Sequence, residues 1–178
     1  MGRVFSMPNA QTFAIPAIAD FLARHQAPFG LTADPFARDS RIADLRNDLN
    51  PNTQAENHLD AVAFLISLAD RQDIGRVFFD PPYSPRQIAE CYKEAGLTAT
   101  MKDTQNARFY SECRKAILRF LPVGGIVLSF GWNSVGMGRE FERLETLLVC
   151  HGGAHNDTIC VADRRVSVAS ELPFAGVA

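Results

Sequence analysis

Residues 74–83 read Ile-Gly-Arg-Val-Phe-Phe-Asp-Pro-Pro-Tyr, an apolar run that ends in an acidic residue, two prolines and an aromatic ring. A short apolar run bounded by turn residues is typical of a buried strand in a parallel sheet. Because proline has no N–H to donate to a sheet ladder, the chain must turn directly after Asp80. The stretch therefore predicts a buried strand with a carboxylate at its C-terminal end.

Helical and strand-like patterns alternate on both sides of this strand. The last two predicted strands are joined by a short glycine-containing turn, which favours an antiparallel pair at the edge of the sheet. The alternation predicts an α/β fold with a doubly wound, mostly parallel sheet. Predicted helices cover 12–25, 56–69, 84–95 and 105–120, and predicted strands lie within 30–37 and over 74–79, 126–130, 144–150 and 157–162.

The composition is that of an ordinary globular protein. The chain has 178 residues, of which 47% are hydrophobic and 21% charged, so we expect one domain over residues 1–178 with a continuous core. No apolar run approaches the ~20 residues of a membrane helix, and no signal-like block follows the first residues. We therefore expect a cytoplasmic protein with no membrane partner. The four cysteines form no C-x-x-C pair and are expected to be free thiols.

The charge is nearly balanced overall but uneven along the chain. A formal net charge of −2 gives no global attraction to nucleic acid. Residues 84–121, however, contain seven basic and four acidic side chains. This local excess fits either a solvated helix face or a phosphate-binding surface, and by itself it does not separate the two.

The turn after the central strand presents groups that can hold an exocyclic amine. Its two prolines restrict the backbone, so the carbonyls of Asp80 and Pro81 are held in a stiff turn. The Asp80 carboxylate and the Pro81 carbonyl can each accept one N–H of a planar amine, while Tyr83 offers a ring face to the attached base. The alternative is a plain tight turn in which Tyr83 covers the core.

The Asp80-Pro81-Pro82-Tyr83 motif resembles the catalytic signature of S-adenosylmethionine-dependent amino-methyltransferases, chiefly the DNA adenine-N6 class. RNA methyltransferases that act on exocyclic amines share this motif. An ordered set of further segments, within roughly residues 7–165, resembles the small adenine-specific methyltransferases of phages and prophages. The resemblance implies a Rossmann-like class I methyltransferase fold, S-adenosylmethionine as cofactor and catalysis without a metal. The segments are 34–38, 47–51, 80–87, 130–134 and 151–158.

The resemblance also implies a cofactor pocket. The segment 34–37 matches the motif around the methionine part of the cofactor, and Thr12-Phe13 match the motif that packs on the same end. Asp48 stands where a carboxylate accepts both ribose hydroxyls, and Asp60-Ala61 match the pair that reads the adenine amine. Helix capping or solvated charge is the alternative for the two aspartates. The implied cofactor residues are Thr12, Phe13, Asp34, Pro35, Phe36, Ala37, Asp48, Leu49, Asp60 and Ala61.

The first cofactor motif departs from the family pattern. Arg38-Asp39-Ser40 stand where small residues usually let the backbone approach the cofactor. Only 13 residues lie between Asp34 and Asp48, whereas dinucleotide-type folds place ~20 in this interval. We therefore expect the first crossover helix to be a stub or to be missing.

The predicted substrate-binding residues surround the catalytic turn. Residues 96–108 are too few for a separate target-recognition domain, so nearby loops read a short site, specificity is low, or a second subunit supplies it. Trp132 and Asn133, at a strand end, either contact the target base or, for Trp132, anchor the core. The expected contacts to DNA, or to RNA in the alternative, are Ser84, Arg86, Lys102, Arg108, Trp132 and Asn133.

His151, His155 and Asp157 are close enough in sequence to suggest a metal site. The intervening glycines disfavour the helical spacing that would bring both imidazoles to one side. We expect a structured hairpin turn there and no metal.

The predicted function is methyl transfer from S-adenosylmethionine to N6 of adenine in DNA. The runner-up is an RNA base-amine methyltransferase acting on guanine N2 or adenine N6. A third hypothesis, motivated by Arg38-Asp39-Ser40, is a catalytically idle subunit that binds nucleic acid or a partner protein.

Overall fold

A seven-stranded sheet forms the centre of the computed structural model, which describes residues 1–9, 11–100, 106–153 and 156–167. Within this part of the chain the strands are β1 (Gly2–Phe5), β2 (Leu31–Asp34), β3 (Leu45–Arg46), β4 (Ile74–Phe79), β5 (Ile126–Gly131), β6 (Phe141–Cys150) and β7 (Thr158–Arg165). The helices are α1 (Pro16–Arg24), α2 (Ala61–Ser67), α3 (Pro85–Glu94) and α4 (Asn106–Phe120), with a short 3₁₀ helix at Thr12–Ala14.

The strand order is β1-β6-β7-β5-β4-β2-β3. All neighbours are parallel except β7, which runs antiparallel to both β5 and β6. This confirms the predicted α/β class and the antiparallel pairing of the last two strands. One detail of the prediction is wrong: the pair is not at the edge, because β1 adds a parallel strand beyond β6 through contacts from Gly2 with Leu147 to Phe5 with Cys150.

The predicted central strand, β4, is buried along its whole length. Val77 and Phe79 point into an apolar cluster that also holds residues of α2 and α4, whereas Phe78 points into a second cluster built on α1. Successive side chains of a strand face opposite sides of its sheet, so the helices cover both faces. The doubly wound arrangement therefore follows from an apolar run that needs burial on two sides.

The crossover between β2 and β3 contains no helix, as the short spacing predicts. The predicted helix at 56–69 is shorter, because α2 begins only after Asp60. Residues before it are held beside β3: the buried Asn47 side chain donates to the carbonyls of Pro35 and Leu59 and accepts from the Leu59 N–H. These long-range bonds keep residues 56–59 out of the helix.

The predicted start of α3 is confirmed. The Ser84 hydroxyl accepts the Gln87 N–H at 3.2 Å, and Pro85 occupies the first helical position. The four cysteines, all within the described residues, are free. No helix in the described part of the chain is long and apolar enough to cross a membrane.

Candidate functional site

A cavity of about 1220 Å³ lies at the C-terminal ends of β2, β3 and β4. Parallel strands end at one edge of a sheet, so residues far apart in sequence meet there. Helices α2, α3 and α4, the short 3₁₀ helix and the loop after β2 contribute further wall residues. Of the predicted site residues, those on the cavity wall are Thr12, Phe13, Pro35, Phe36, Ala37, Asp48, Leu49, Asp60, Ala61, Asp80, Pro81, Pro82, Tyr83 and Arg108.

The other predicted site residues lie off the cavity wall. Asp34 is fully buried beneath it, Ser84 caps α3, and Arg86 forms an exposed ion pair with Glu90. Trp132 and Asn133 are exposed beside it. Lys102 falls outside the described residues.

Asp80 is the carboxylate at the end of β4. Its Oδ1 accepts a hydrogen bond from the Tyr83 hydroxyl, and the Thr12 side chain hydrogen-bonds to the same carboxylate. Burial raises the pKa of Asp80, and the two hydrogen bonds oppose that rise because they stabilise the ionised form. Burial, with the neighbouring Asp80 charge, also holds the pKa of Tyr83 well above its usual value. The proton therefore stays on Tyr83, and Asp80 acts as an acceptor.

The Tyr83 ring is positioned by contacts on several sides. Its backbone N–H donates to Gln87 Oε1 at 2.8 Å. A Cβ on Gly131 would lie 3.3 Å from a ring carbon, so the glycine lets the ring sit against β5. The centroid of the Trp132 ring lies 5.5 Å from that of the Tyr83 ring, and the two ring planes are inclined by 39°. Tyr83 thus lines the cavity and is not merely a cover for the core.

Trp132 is not a core anchor, because 47% of its surface is exposed. The loop that follows it is held at its far side, where buried Asp163 accepts the Met137 N–H at 2.8 Å and pairs with Arg143 at 2.5 Å. The side-chain oxygen of Asn133 accepts a hydrogen bond from the Val135 N–H. The loop therefore presents an aromatic ring beside Tyr83 at the end of β5.

Asp34 has an unusual environment for a carboxyl group. Its Oδ1 accepts the Phe36 N–H at 2.9 Å, but its buried Oδ2 has no hydrogen-bond partner among the described residues. Burial raises its pKa to about 8, and the nearby charges of Asp80 and Asp48 act in the same direction. Through its hydrogen bond with the Phe36 N–H, Asp34 holds the turn after β2. With a pKa of about 8, its side chain is mostly protonated at neutral pH.

Asp48 and Asp60 both organise backbone and both retain acceptor capacity. Asp48 accepts the N–H groups of Asn50 and Arg38, one on each carboxylate oxygen. Asp60 caps α2 by accepting the Val62 and Ala63 N–H groups on one oxygen, Oδ1. An ionised carboxylate has about four acceptor positions, so capping and ligand binding are compatible at each residue.

Aromatic side chains support the walls of the cavity. Phe13 lies 5.1 Å from both Phe78 and Phe130, and Phe36 lies 5.8 Å from Phe79. These ring contacts tie the wall residues to the two apolar clusters of the sheet. The wall is therefore part of the folded core and is formed before a ligand binds.

Sequence reasoning did not assign a site role to Gln87, Cys91 or Arg38, yet all three line the cavity. Gln87 was visible as part of the capping box and of segment 80–87. Arg38 was visible as the end of segment 34–38 and as a departure from a glycine pattern, and neither signal assigned a site role. Cys91 had no signal, because its position depends on how α3 packs.

Part of the positive charge in residues 84–121 is neutralised by acidic side chains on the same helices. Arg86 pairs with Glu90 and Arg108 pairs with Glu112, each at 2.8 Å and one helical turn apart. Such exposed pairs contribute little to stability.

The His151 region contains a structured turn. The two ring nitrogens of His151 lie within hydrogen-bond distance, 2.9 Å, of the Ser6 carbonyl oxygen and the Thr158 hydroxyl oxygen. The backbone N–H of His151 donates to the Asp157 carboxylate. His155 lies outside the described residues. Within the described part of the chain, no group of three or more metal-ligating side chains is present.

No protein-family model and no curated protein matches the chain. Among solved structures, a candidate methylase from Haemophilus influenzae (HI0767) matches with a TM-score of 0.51 and 12% identity, over 85% of this chain and 87% of the other. TrmN from Thermus thermophilus matches with a TM-score of 0.54 and 14% identity, over 85% of this chain and 49% of the other. The chain therefore spans about half the length of TrmN, and it has the Rossmann-like α/β fold of these two structures.

Proposed function

We propose that the chain transfers a methyl group from S-adenosylmethionine to an exocyclic amine of a nucleobase, N6 of adenine in DNA. The observation that carries the proposal is the single cavity that joins the Asp80–Tyr83 turn to the carboxylates of Asp48 and Asp60. A shared fold with a candidate methylase supports the class of reaction. The motif resemblance supports adenine and DNA as the target.

The residues on the cavity wall fit the cofactor. The remaining acceptor positions of Asp48 suit a ribose cis-diol, and the second oxygen of Asp60 suits an adenine amine. Ligand pockets usually enclose roughly 300–1,000 Å³. A cavity of about 1220 Å³ is larger than one such ligand needs and has room for a flipped base as well.

In this proposal the protein acts mainly by positioning. When bound, S-adenosylmethionine supplies an electrophilic methyl group on a sulfonium. Asp80 and the Pro81 carbonyl accept the two N–H groups of the base, which directs the nitrogen lone pair toward that methyl group. The rings of Tyr83 and Trp132 compensate part of the stacking that the base loses when it leaves the duplex. The amine itself would attack the methyl carbon as the methyl–sulfur bond breaks, so the cofactor would leave as its neutral thioether, the amine would lose one proton to solvent, and no covalent intermediate with the protein would form.

Transfer of a labelled methyl group tests this proposal. The protein is incubated with labelled cofactor and either DNA or RNA, and the nucleosides are then analysed. We expect label in N6-methyladenine from DNA. Label found only in RNA would favour the RNA base-amine methyltransferase. Cofactor binding with no label in either polymer would favour the catalytically idle subunit.

Asp80→Ala provides the mechanistic test. We expect turnover to fall by at least about 100-fold, because the amine is no longer oriented, while calorimetry finds cofactor affinity largely unchanged. Asp70→Ala, which changes an exposed aspartate outside the cavity, is the matched control and should have normal turnover. Equal turnover by Asp80→Ala and the control would contradict the mechanism.

A further inference from the structure

Arg38 occupies an unusual backbone conformation on the cavity wall. Its φ of 48° is the one positive value at a non-glycine residue in the described part of the chain. This left-handed conformation is costly for a residue with a Cβ, and such strain is concentrated at functional sites. The chain thus combines a glycine-like backbone turn with a long cationic side chain.

The turn that carries Arg38 is held by long-range hydrogen bonds. The Ala37 N–H donates to the Asn47 carbonyl at 2.8 Å, and the Arg38 N–H donates to Asp48 Oδ2 at 3.1 Å. Asp48 therefore holds the backbone of Arg38 directly beside the position proposed for the ribose. Arg38 lines the same cavity as that position.

Arg38 is also the uncommitted cation of the cavity. The basic side chains on its wall are Arg38, Arg41 and Arg108. Arg41 hydrogen-bonds to the Gln54 side chain, and Arg108 pairs with Glu112. Within the described residues, the guanidinium of Arg38 has neither a hydrogen bond nor an ion pair. A guanidinium in a cavity is matched by planar oxyanions, which it binds through two parallel N–H donors.

We infer that Arg38 is the receptor for the carboxylate of the methyl donor's amino-acid group. The inference rests on the proposed function and extends it to the part of the ligand that the glycine-rich turn would otherwise hold through backbone N–H groups. In this chain a side-chain cation replaces that backbone contact. Such a contact would let a glycine-poor turn hold this end of the ligand.

Two ligands that differ only in this carboxylate test the inference: S-adenosylmethionine and decarboxylated S-adenosylmethionine, titrated by calorimetry. We expect the wild-type protein to prefer the intact ligand by roughly tenfold or more, as for a charge-assisted bidentate contact. Arg38→Gly should remove this preference while the affinity for the decarboxylated ligand stays unchanged. Arg38→Lys should retain part of it, and Arg139→Gln, the matched control at an exposed arginine outside the cavity, should retain all of it.

Three results with the Arg38→Gly variant would overturn the inference. The first is an Arg38→Gly variant that keeps the preference. The second is equal weakening of both ligands, which would mean that Arg38 only shapes the turn. The third is loss of affinity for a DNA duplex with the preference intact, which would assign the guanidinium to a phosphate.

Two controls keep these outcomes separate from misfolding and from failure of the proposed function. Glycine suits the observed φ, so the melting temperature of Arg38→Gly should match or exceed that of the wild type. Failure of the wild-type protein to bind either ligand would refute the proposed function together with the inference. Binding of both ligands without discrimination would refute the inference alone.

Discussion

At the scale of single residues, the site depends on carboxylates with different degrees of burial. Asp34 is fully buried with one unpartnered oxygen, Asp80 is partly buried and bonded to two hydroxyl groups, and Asp48 faces the cavity. Burial favours the neutral form of a carboxyl group, and hydrogen bonds to the carboxylate favour the charged form. Asp80 and Asp48 accept hydrogen bonds at the cavity wall, whereas Asp34, with a pKa of about 8, is a largely protonated structural group.

The pH dependence of stability tests the state of Asp34. Its folded-state pKa of about 8 lies above the ordinary value of 3.8, so between these values the folded protein keeps a proton that the unfolded chain releases. Stability should therefore fall as pH rises through this window and level off above it. Asp34→Asn should remove this contribution, which is on the order of 1 kcal/mol per pH unit.

Urea unfolding at pH 5.5, 7 and 8.5 measures the effect. The difference in unfolding free energy between Asp34→Asn and the wild type should grow in favour of the variant as pH rises. Asp20→Asn, an exposed position on α1, is the control and should follow the wild type. Parallel pH curves for Asp34→Asn and the wild type would rule out a raised pKa at Asp34.

At the scale of secondary-structure elements, α3 and the catalytic turn form one unit. Ser84 caps the helix, and Gln87 in its first turn accepts the Tyr83 N–H. The helix start thus holds the backbone of the residue proposed to stack on the base. The capping box, visible in the sequence as a helix signal, also has a positioning role in the site.

Replacement of Ser84 tests this coupling. Ser84→Ala should lower the unfolding free energy by about 1 kcal/mol, the usual cost of losing an N-cap, whereas Ser84→Thr should lower it much less. Denaturant unfolding gives the stability, and the fluorescence of Trp132, which lies against Tyr83, reports the turn. The same unfolding midpoint for the alanine and threonine variants would show that the cap contributes nothing.

At the scale of the whole molecule, the cavity is assembled from segments distributed over residues 11–112. A ligand that binds there stabilises the folded chain and not the unfolded one. S-adenosylhomocysteine at a hundredfold excess over its Kd should add about 2.7 kcal/mol, which corresponds to a rise in Tm of roughly 5–10 °C.

Thermal unfolding of Asp48→Ala supplies the contrast. Without the carboxylate beside the proposed ribose position, the rise in Tm at the same ligand concentration should shrink substantially. Asp70→Ala should retain the full rise, since Asp70 lies outside the cavity. An unshifted Tm for the wild-type protein would count against a cofactor role for the cavity.

Features that depend on neighbours in sequence were predictable. The apolar run 74–79 needs burial on both faces, and Ser84-Pro85-Arg86-Gln87 contains its own start signal for a helix; both are confirmed. The short interval between Asp34 and Asp48 leaves no room for a crossover helix, and none forms. In each case the physical cause lies in residues that are close together in the sequence.

Features that depend on distant partners were not predictable. Strand β1 is defined by its pairing with β6, 145 residues away between Gly2 and Leu147. The shortened α2 results from bonds of Asn47, and the contact of Tyr83 with Trp132 results from adjacent strand ends. Arg38 appeared in the sequence within segment 34–38 and as a departure from a glycine pattern. That its guanidinium has no hydrogen-bond partner among the described residues becomes visible only with the cavity around it.

The amino-acid sequence by itself determined the central strand, the α/β class and the acidic-proline turn, because local apolar patterning, proline stereochemistry and capping depend on nearby residues. Tertiary structure alone decided which carboxylates are buried, which rings meet and which guanidinium on the cavity wall has no hydrogen bond to another described residue. Those properties depend on desolvation and on charges brought together from separate strands, and neither is defined until the sheet has formed.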